Sequence, residues 1–152
     1  MHSEARTAEQ RRKDTLARLE NDVDAWVATA DQEGGPYLMP LSFLWDGAGL
    51  LLSTAAGNPT ARNLVASGTA RLALGHTRDV VLIEGSVETL EQAEISPELG
   101  DAFAVKTGFD PRRLRGRYLY FRVRPRQVQA WREVNELEGR DLMRDGRWLV
   151  RE

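Results

Sequence analysis

Cysteine does not occur in the chain, which excludes disulfides, thiolate metal ligands and a cysteine nucleophile. Histidine is scarce. His2 and His76 are the only two, so there is no paired-histidine metal motif, and a Gly-x-Ser-x-Gly nucleophile elbow is missing too. Zinc and hydrolytic chemistry fit poorly. No apolar run approaches the ~18 residues that cross a bilayer, and the opening MHSEARTAEQRRKD is polar and of mixed charge, unlike a signal peptide. A cytoplasmic protein with no membrane span is expected. Charge of one sign is also lacking overall: the net value of -2 argues against general nucleic-acid affinity.

What is present reads as one globular domain over 1–152, with 41% hydrophobic and 29% charged residues, an N-terminal helix over 1–20 and a C-terminal extension over 133–152. In the first helix Ala8, Leu16, Leu19 and Val23 can share an inner face while Arg11, Arg12, Lys13, Arg18 and Glu20 stay wet. Short apolar runs broken by turns follow, at Ala25–Ala30, Tyr37–Trp45, Leu50–Thr54, Ala70–Leu74 and Val80–Leu90. Ser96-Pro97-Glu98 opens a helix that stops at Gly108. Tyr118–Arg124 alternates as a half-buried strand, which Val128–Arg132 continues after Pro125, and Asp145-Gly146 marks a hairpin. Six or seven strands joined mainly by tight turns predict a mainly β fold, an antiparallel barrel with peripheral helices. Pro40 lacks an amide hydrogen, so its strand should be an edge, bulged, or open to a ligand.

The segment STAAGNPTARNL, Ser53 to Leu64, carries the most chemistry. Asn58 suits an N-cap and Pro59 the first helical position, so the amides of the first turn point out of the helix start unsatisfied. A phosphate there would meet those amides, the positive end of the helix dipole, the hydroxyls of Ser53, Thr54 and Thr60, and the guanidinium of Arg62. The same residues also read simply as a well-capped helix.

In order and spacing, DAWVATA, PYLMPLSFLWDG, LLLSTAAGNPTARNL, TRDVVLIEGSVE and RPRQVQAW resemble the pyridoxamine-phosphate-oxidase-like split barrels, which bind FMN or the related deazaflavin coenzyme. The resemblance covers nearly the whole chain. It implies a six- to seven-stranded antiparallel split barrel of FMN-binding type and a homodimer with the cofactor at the subunit interface. It implies an oxidoreductase that moves a hydride, or two electrons, between its cofactor and a small organic substrate. FMN is the implied cofactor and 8-hydroxy-5-deazaflavin coenzyme its alternative. Carried over residue by residue, Pro40, Leu41 and Ser42 would flank the ring, and Ser53, Thr54, Thr60, Arg62 and Asn63 would lie around the phosphate. Trp131 would come near the neighbouring subunit's pocket. No catalytic side chain is implied.

Two departures from that pattern stand out. Thr60 occupies a position where many FMN-binding members carry lysine, which leaves Arg62 as the cation of the motif. No histidine follows His76, so the Arg-x-His pair of true pyridoxamine phosphate oxidases is missing and that activity is not expected. Two other readings stay open: a flavin carrier or sensor without enzymatic activity, and a single-strand nucleic-acid binder using Tyr118, Tyr120, Arg122 and Arg124 of the basic Arg112–Arg132 stretch. Glu84 is read as outward or paired, and His76 as a solvated turn residue.

Overall fold

The computed structural model describes residues 4–150, so His2 and the outermost residues of the expected helix and C-terminal extension lie outside the described residues. Helix α1 (Ala8–Asn21) begins where Thr7 accepts a hydrogen bond from the Gln10 amide, seven residues later than the sequence periodicity predicts. Strands β1 (Asp24–Ala30), β2 (Pro36–Ser42), β3 (Leu44–Trp45) and β4 (Leu50–Ala55) follow. Then come α2 (Pro59–Ser67), β5 (Thr69–Leu74), β6 (Val80–Leu90), α3 (Pro97–Thr107) and β7 (Tyr118–Trp131), and finally the hairpin β8 (Asp141–Arg144) and β9 (Arg147–Trp148). No helix among the described residues is long and apolar enough to cross a membrane.

All pairings are antiparallel, and seven strands run in the order β2-β1-β5-β6-β7-β4-β3, with the β8–β9 hairpin attached to β7. The two ends of that path, β2 and β3, are consecutive in the chain and separated only by Phe43. The sheet therefore has to curl until its edges meet, which makes it a split barrel. Leu19, Val27, Phe43, Leu50, Leu52, Leu64, Leu72, Ile83, Phe121 and Val128 fill the interior. Pro40 sits on β2 opposite Trp26, at the edge of the path, where its missing donor costs no ladder bond. The register of β6 against β7 shifts between Glu84 and Gly85, opposite Pro125. Asp145 and Gly146 both have positive φ, as the two-residue hairpin turn requires.

Two burial expectations are corrected. Tyr120 is fully buried because α3 covers the outer face of β7, where Phe103 packs edge-on at 5.6 Å and Leu51 completes the cluster. Arg11 is buried on the inner face of α1, where its guanidinium donates to the carbonyls of Ala130, Glu136, Gly139 and Glu138. These carbonyls match its two terminal nitrogens, while its Nε has no partner among the described residues. Glu84 pairs with Arg71 at 2.8 Å and His76 is exposed, as read.

Glu136 closes the chain's ends together. Its buried carboxylate accepts from the Arg6 amide and guanidinium and from the Arg132 amide, at 2.7 to 3.0 Å. The Arg6 guanidinium above all holds its pKa down to about 2, from an ordinary 4.5. A depressed folded-state pKa stabilises the fold above the unfolded value and loses that contribution as pH falls toward the folded one. Chemical denaturation at a series of pH values should show stability declining from about pH 4.5 toward about 2. A Glu136→Gln variant, less stable at neutral pH by roughly 2 to 4 kcal/mol, should show a shallower decline over the same window.

Candidate functional site

The end of β4 and the start of α2 define one end of a cavity of about 420 Å³. Its lining residues are Asp24 of β1, Pro40, Leu41 and Ser42 of β2, Ser53 and Thr54 of β4, Asn58, Phe103 of α3, Phe109, and Tyr118 of β7. Residues 40–42 and 53–54, distant in sequence, are brought together because β2 and β4 approach across the seam of the barrel. Two polar contacts set the β4 end: Ser53 Oγ donates to the Leu119 carbonyl at 2.8 Å, and Asn58 Nδ2 donates to Thr54 Oγ1 at 2.9 Å.

That second contact matters for the helix. Asn58 stands at the N-cap of α2 but makes no side-chain capping bond, because its amide is turned toward Thr54. Pro59 has no amide hydrogen, and the Arg62 amide is bonded to the Asn58 carbonyl. The amides of Thr60 and Ala61 are thus left without a side-chain cap at the positive end of the helix dipole. The Thr60 hydroxyl adds to them: the residue is 2% exposed and its Oγ1 has no hydrogen-bond partner among the described residues. A buried, unmatched hydroxyl costs about 1 to 3 kcal/mol unless something outside the chain completes it. An anion at this helix start would do so.

The other residues named from the sequence lie elsewhere. Thr60, Arg62, Asn63 and Trp131 do not line the cavity. Asn63 is turned into the fold, donating to Thr29 Oγ1 at 3.1 Å. Arg62 is exposed, with no ion pair among the described residues. Helical spacing explains the split: Thr60, Ala61, Asn63 and Leu64 share the buried face, which leaves Arg62 on the other. Trp131 ends β7 opposite Val80, with the Arg140 guanidinium 5.9 Å above its ring.

Sequence reasoning missed Asp24, Asn58 as a lining residue, Phe103, Phe109 and Tyr118. Asp24 is legible only through register, since it stands opposite Ser42 on β2. Phe103 and Phe109 bracket Gly108, whose φ of 72° ends α3 and turns Phe109 back toward Tyr118. The basic stretch offers little open surface for stacking bases. Tyr120 is buried, Arg122 is bound to Asp46 at 2.7 Å, and Arg112 is bound to Asp110 at 2.8 Å. Among the described residues no three histidine or acidic side chains gather as a metal site.

The family model for pyridoxamine 5'-phosphate oxidase matches residues 13–132. No curated protein matches the sequence. Among solved structures, one named as an F420 reductase aligns with a TM-score of 0.62 and 18% identity, over 74% of this chain and 93% of its own. A FAD-binding protein from Mesorhizobium loti aligns at 0.65 and 18%, over 78% and 90%. A NimC/NimA family protein from Clostridium acetobutylicum aligns at 0.58 and 10%, over 78% and 84%. At such identities these likenesses show the fold alone.

Replacing Thr60 by valine removes the unmatched hydroxyl at nearly constant volume. The ligand-free protein should then gain about 1 kcal/mol or more in denaturant unfolding, whereas any phosphorylated ligand held at the α2 start should bind less tightly. A loss of stability in the ligand-free variant would show that Thr60 Oγ1 is already satisfied.

Proposed function

The chain belongs to the pyridoxamine 5'-phosphate oxidase family, and from that premise we propose that it is a homodimeric oxidoreductase that binds a flavin or deazaflavin coenzyme. The supporting observation is the pairing of a cavity with an uncapped helix start: an amphipathic recess of about 420 Å³ lies beside two amides and a buried hydroxyl that lack partners. The residues fit the group. Backbone groups of Pro40, Leu41 and Ser42 would flank a ring system, and Ser53 and Thr54 would border its side chain. Thr60 and the Thr60 and Ala61 amides would receive the phosphate. When bound, the coenzyme supplies hydride or two-electron chemistry, and the protein's part is orientation and exclusion of water. The proposed substrate is a small organic molecule. Pro40, Leu41, Phe103 and Phe109 would keep the reacting region dry.

Arg62 belongs to this proposal as a screened charge at the rim, not a direct contact, since its side chain is exposed. Asn63 acts from behind by tying α2 to β1 through Thr29. Trp131 would serve the partner subunit's cavity. Pairing of two subunits is supported by the outer face of β1 and β2. Trp26 lies opposite Pro40, and Ala28 opposite Leu38, so these residues share one apolar surface on which Trp26 is 48% and Leu38 56% exposed. Pro40 belongs both to that surface and to the cavity lining, so the site would abut the interface. An obligate interface of more than ~2,000 Å² total is the expected scale. Light scattering at micromolar concentration should report a dimer, and a Trp26→Lys, Leu38→Lys variant a monomer.

Titration with FMN, deazaflavin coenzyme and riboflavin tests the cofactor reading directly. At least one phosphorylated flavin should give a saturable spectral change, and riboflavin should bind more weakly. Arg62→Ala should cost under about 1 kcal/mol, the usual worth of an exposed charge near a helix start. No response to any flavin would defeat the proposal.

A further inference from the structure

A second recess, of about 180 Å³, lies across β6 and β7 and shares no residue with the cavity described above. Ser86, Val87 and Glu88 line it from β6, and Arg122 and Arg124 from β7. In register Ser86 stands opposite Arg124 and Glu88 opposite Arg122. Ser86, Glu88 and Arg124 are exposed, whereas the Val87 side chain packs against the core. The open walls of this recess are therefore polar and charged.

Opposite charges that face each other across two strands can neutralise one another, as Arg71 of β5 and Glu84 of β6 do at 2.8 Å. Glu88 is denied that partner. Arg122 is turned to Asp46 instead, donating from Nε to Oδ2 at 2.7 Å and from Nη2 to Oδ1 at 3.2 Å, and the Ala48 and Gly49 amides hold the Asp46 carboxylate in place. The Arg122 charge is thus neutralised and fixed. Arg124 faces a serine and has no acid across the strand. Among the described residues neither Glu88 nor Arg124 makes an ion pair or a side-chain hydrogen bond. Two uncompensated charges of opposite sign therefore border one recess, offset by two residues, about 7 Å of strand. A plain anion placed there meets Glu88 and a plain cation meets Arg124, whereas a molecule that carries both charges on a short chain satisfies both.

We propose that this recess binds a small zwitterion, an amino acid whose carboxylate meets Arg124 and the Ser86 hydroxyl and whose ammonium group meets Glu88. With no open apolar wall, the two charges carry the recognition. No residue is shared with the cofactor cavity, so the site is independent of the flavin reading.

Heteronuclear NMR titration of the full chain with three probes of equal chain length, 4-aminobutyrate, butyrate and n-butylamine, tests it. 4-Aminobutyrate should give saturable shifts centred on the backbone amides of residues 86–88 and 122–124, and the two singly charged probes should bind at least about tenfold more weakly. Glu88→Gln, a change at an exposed residue, should bring 4-aminobutyrate to the level of butyrate without weakening butyrate. Arg124→Gln, also exposed, should bring it to the level of n-butylamine without weakening n-butylamine. The proposal is overturned if butyrate or n-butylamine binds as tightly as 4-aminobutyrate, if the shifts centre elsewhere, if neither substitution changes the affinity, or if no probe gives a saturable response.

Discussion

Burial of β4 on both faces is the constraint from which the site follows. Leu50 and Leu52 point into the barrel, while Leu51 packs outward beneath α3 with Phe103 and Tyr120. Each buried leucine is worth roughly 1.5 to 3 kcal/mol, and a slip of one residue would exchange the two faces, so the register is strongly specified. Leu50 opposite Val123 then fixes Ser53 opposite Tyr120 and Thr54 opposite Leu119. The last polar residues of the strand thereby arrive at the mouth of α2, and Ser53 secures the position by donating to the Leu119 carbonyl. The same packing seats α3, which contributes Phe103 to the cavity lining, and its closing Gly108 leads the chain to Phe109.

Patterns that depend on short stretches of chain were legible before the structure. Asn58-Pro59 and Ser96-Pro97 open helices, Gly108 ends the second of them in the left-handed region, and Asp145-Gly146 turns the last hairpin. Each signal is written in two or three neighbouring residues. The barrel was legible too, because antiparallel strands joined by tight turns leave few other closures. Long-range burial was less accessible. Alternation along β7 placed Tyr120 with Arg122 and Arg124, and only the arrival of α3 decides that one residue of that row is buried while Arg124 is exposed. Arg11 looked like a solvated charge since its four carbonyl partners lie 119 to 128 residues away.

Within the candidate site the division is instructive. Ser53 and Thr54 of the motif from Ser53 to Leu64 line the cavity, and so do residues 40–42, which were named through the resemblance of the neighbouring strand. Arg62 lies outside that lining because the periodicity of its own helix, in which Ala61 and Leu64 fix the buried face three residues apart, turns it away. The aromatic part of the lining could not be read at all, because Phe103, Phe109 and Tyr118 share no motif and meet only after α3 has docked.

Polar satisfaction separates the parts of this fold that hold it together from the part that is open to a ligand. Glu136 at the terminal clamp is surrounded by donors, and Arg11 is matched by carbonyls through its terminal nitrogens. The Glu136 carboxylate is complete without any other molecule, whereas the Arg11 Nε has no partner among the described residues. An unmatched buried atom is not in itself a site, since Tyr120 OH and Thr15 Oγ1 are also unpaired. Tyr120 lies under α3, where burial pushes its hydroxyl pKa up, as packing alone would do. Thr60 differs in its neighbours. It stands two residues from a cavity-lining asparagine, beside two uncapped amides, at the positive end of a helix dipole. A single unmatched hydroxyl is a local cost of packing, whereas one beside uncapped amides at a helix start is what the proposed anion would complete.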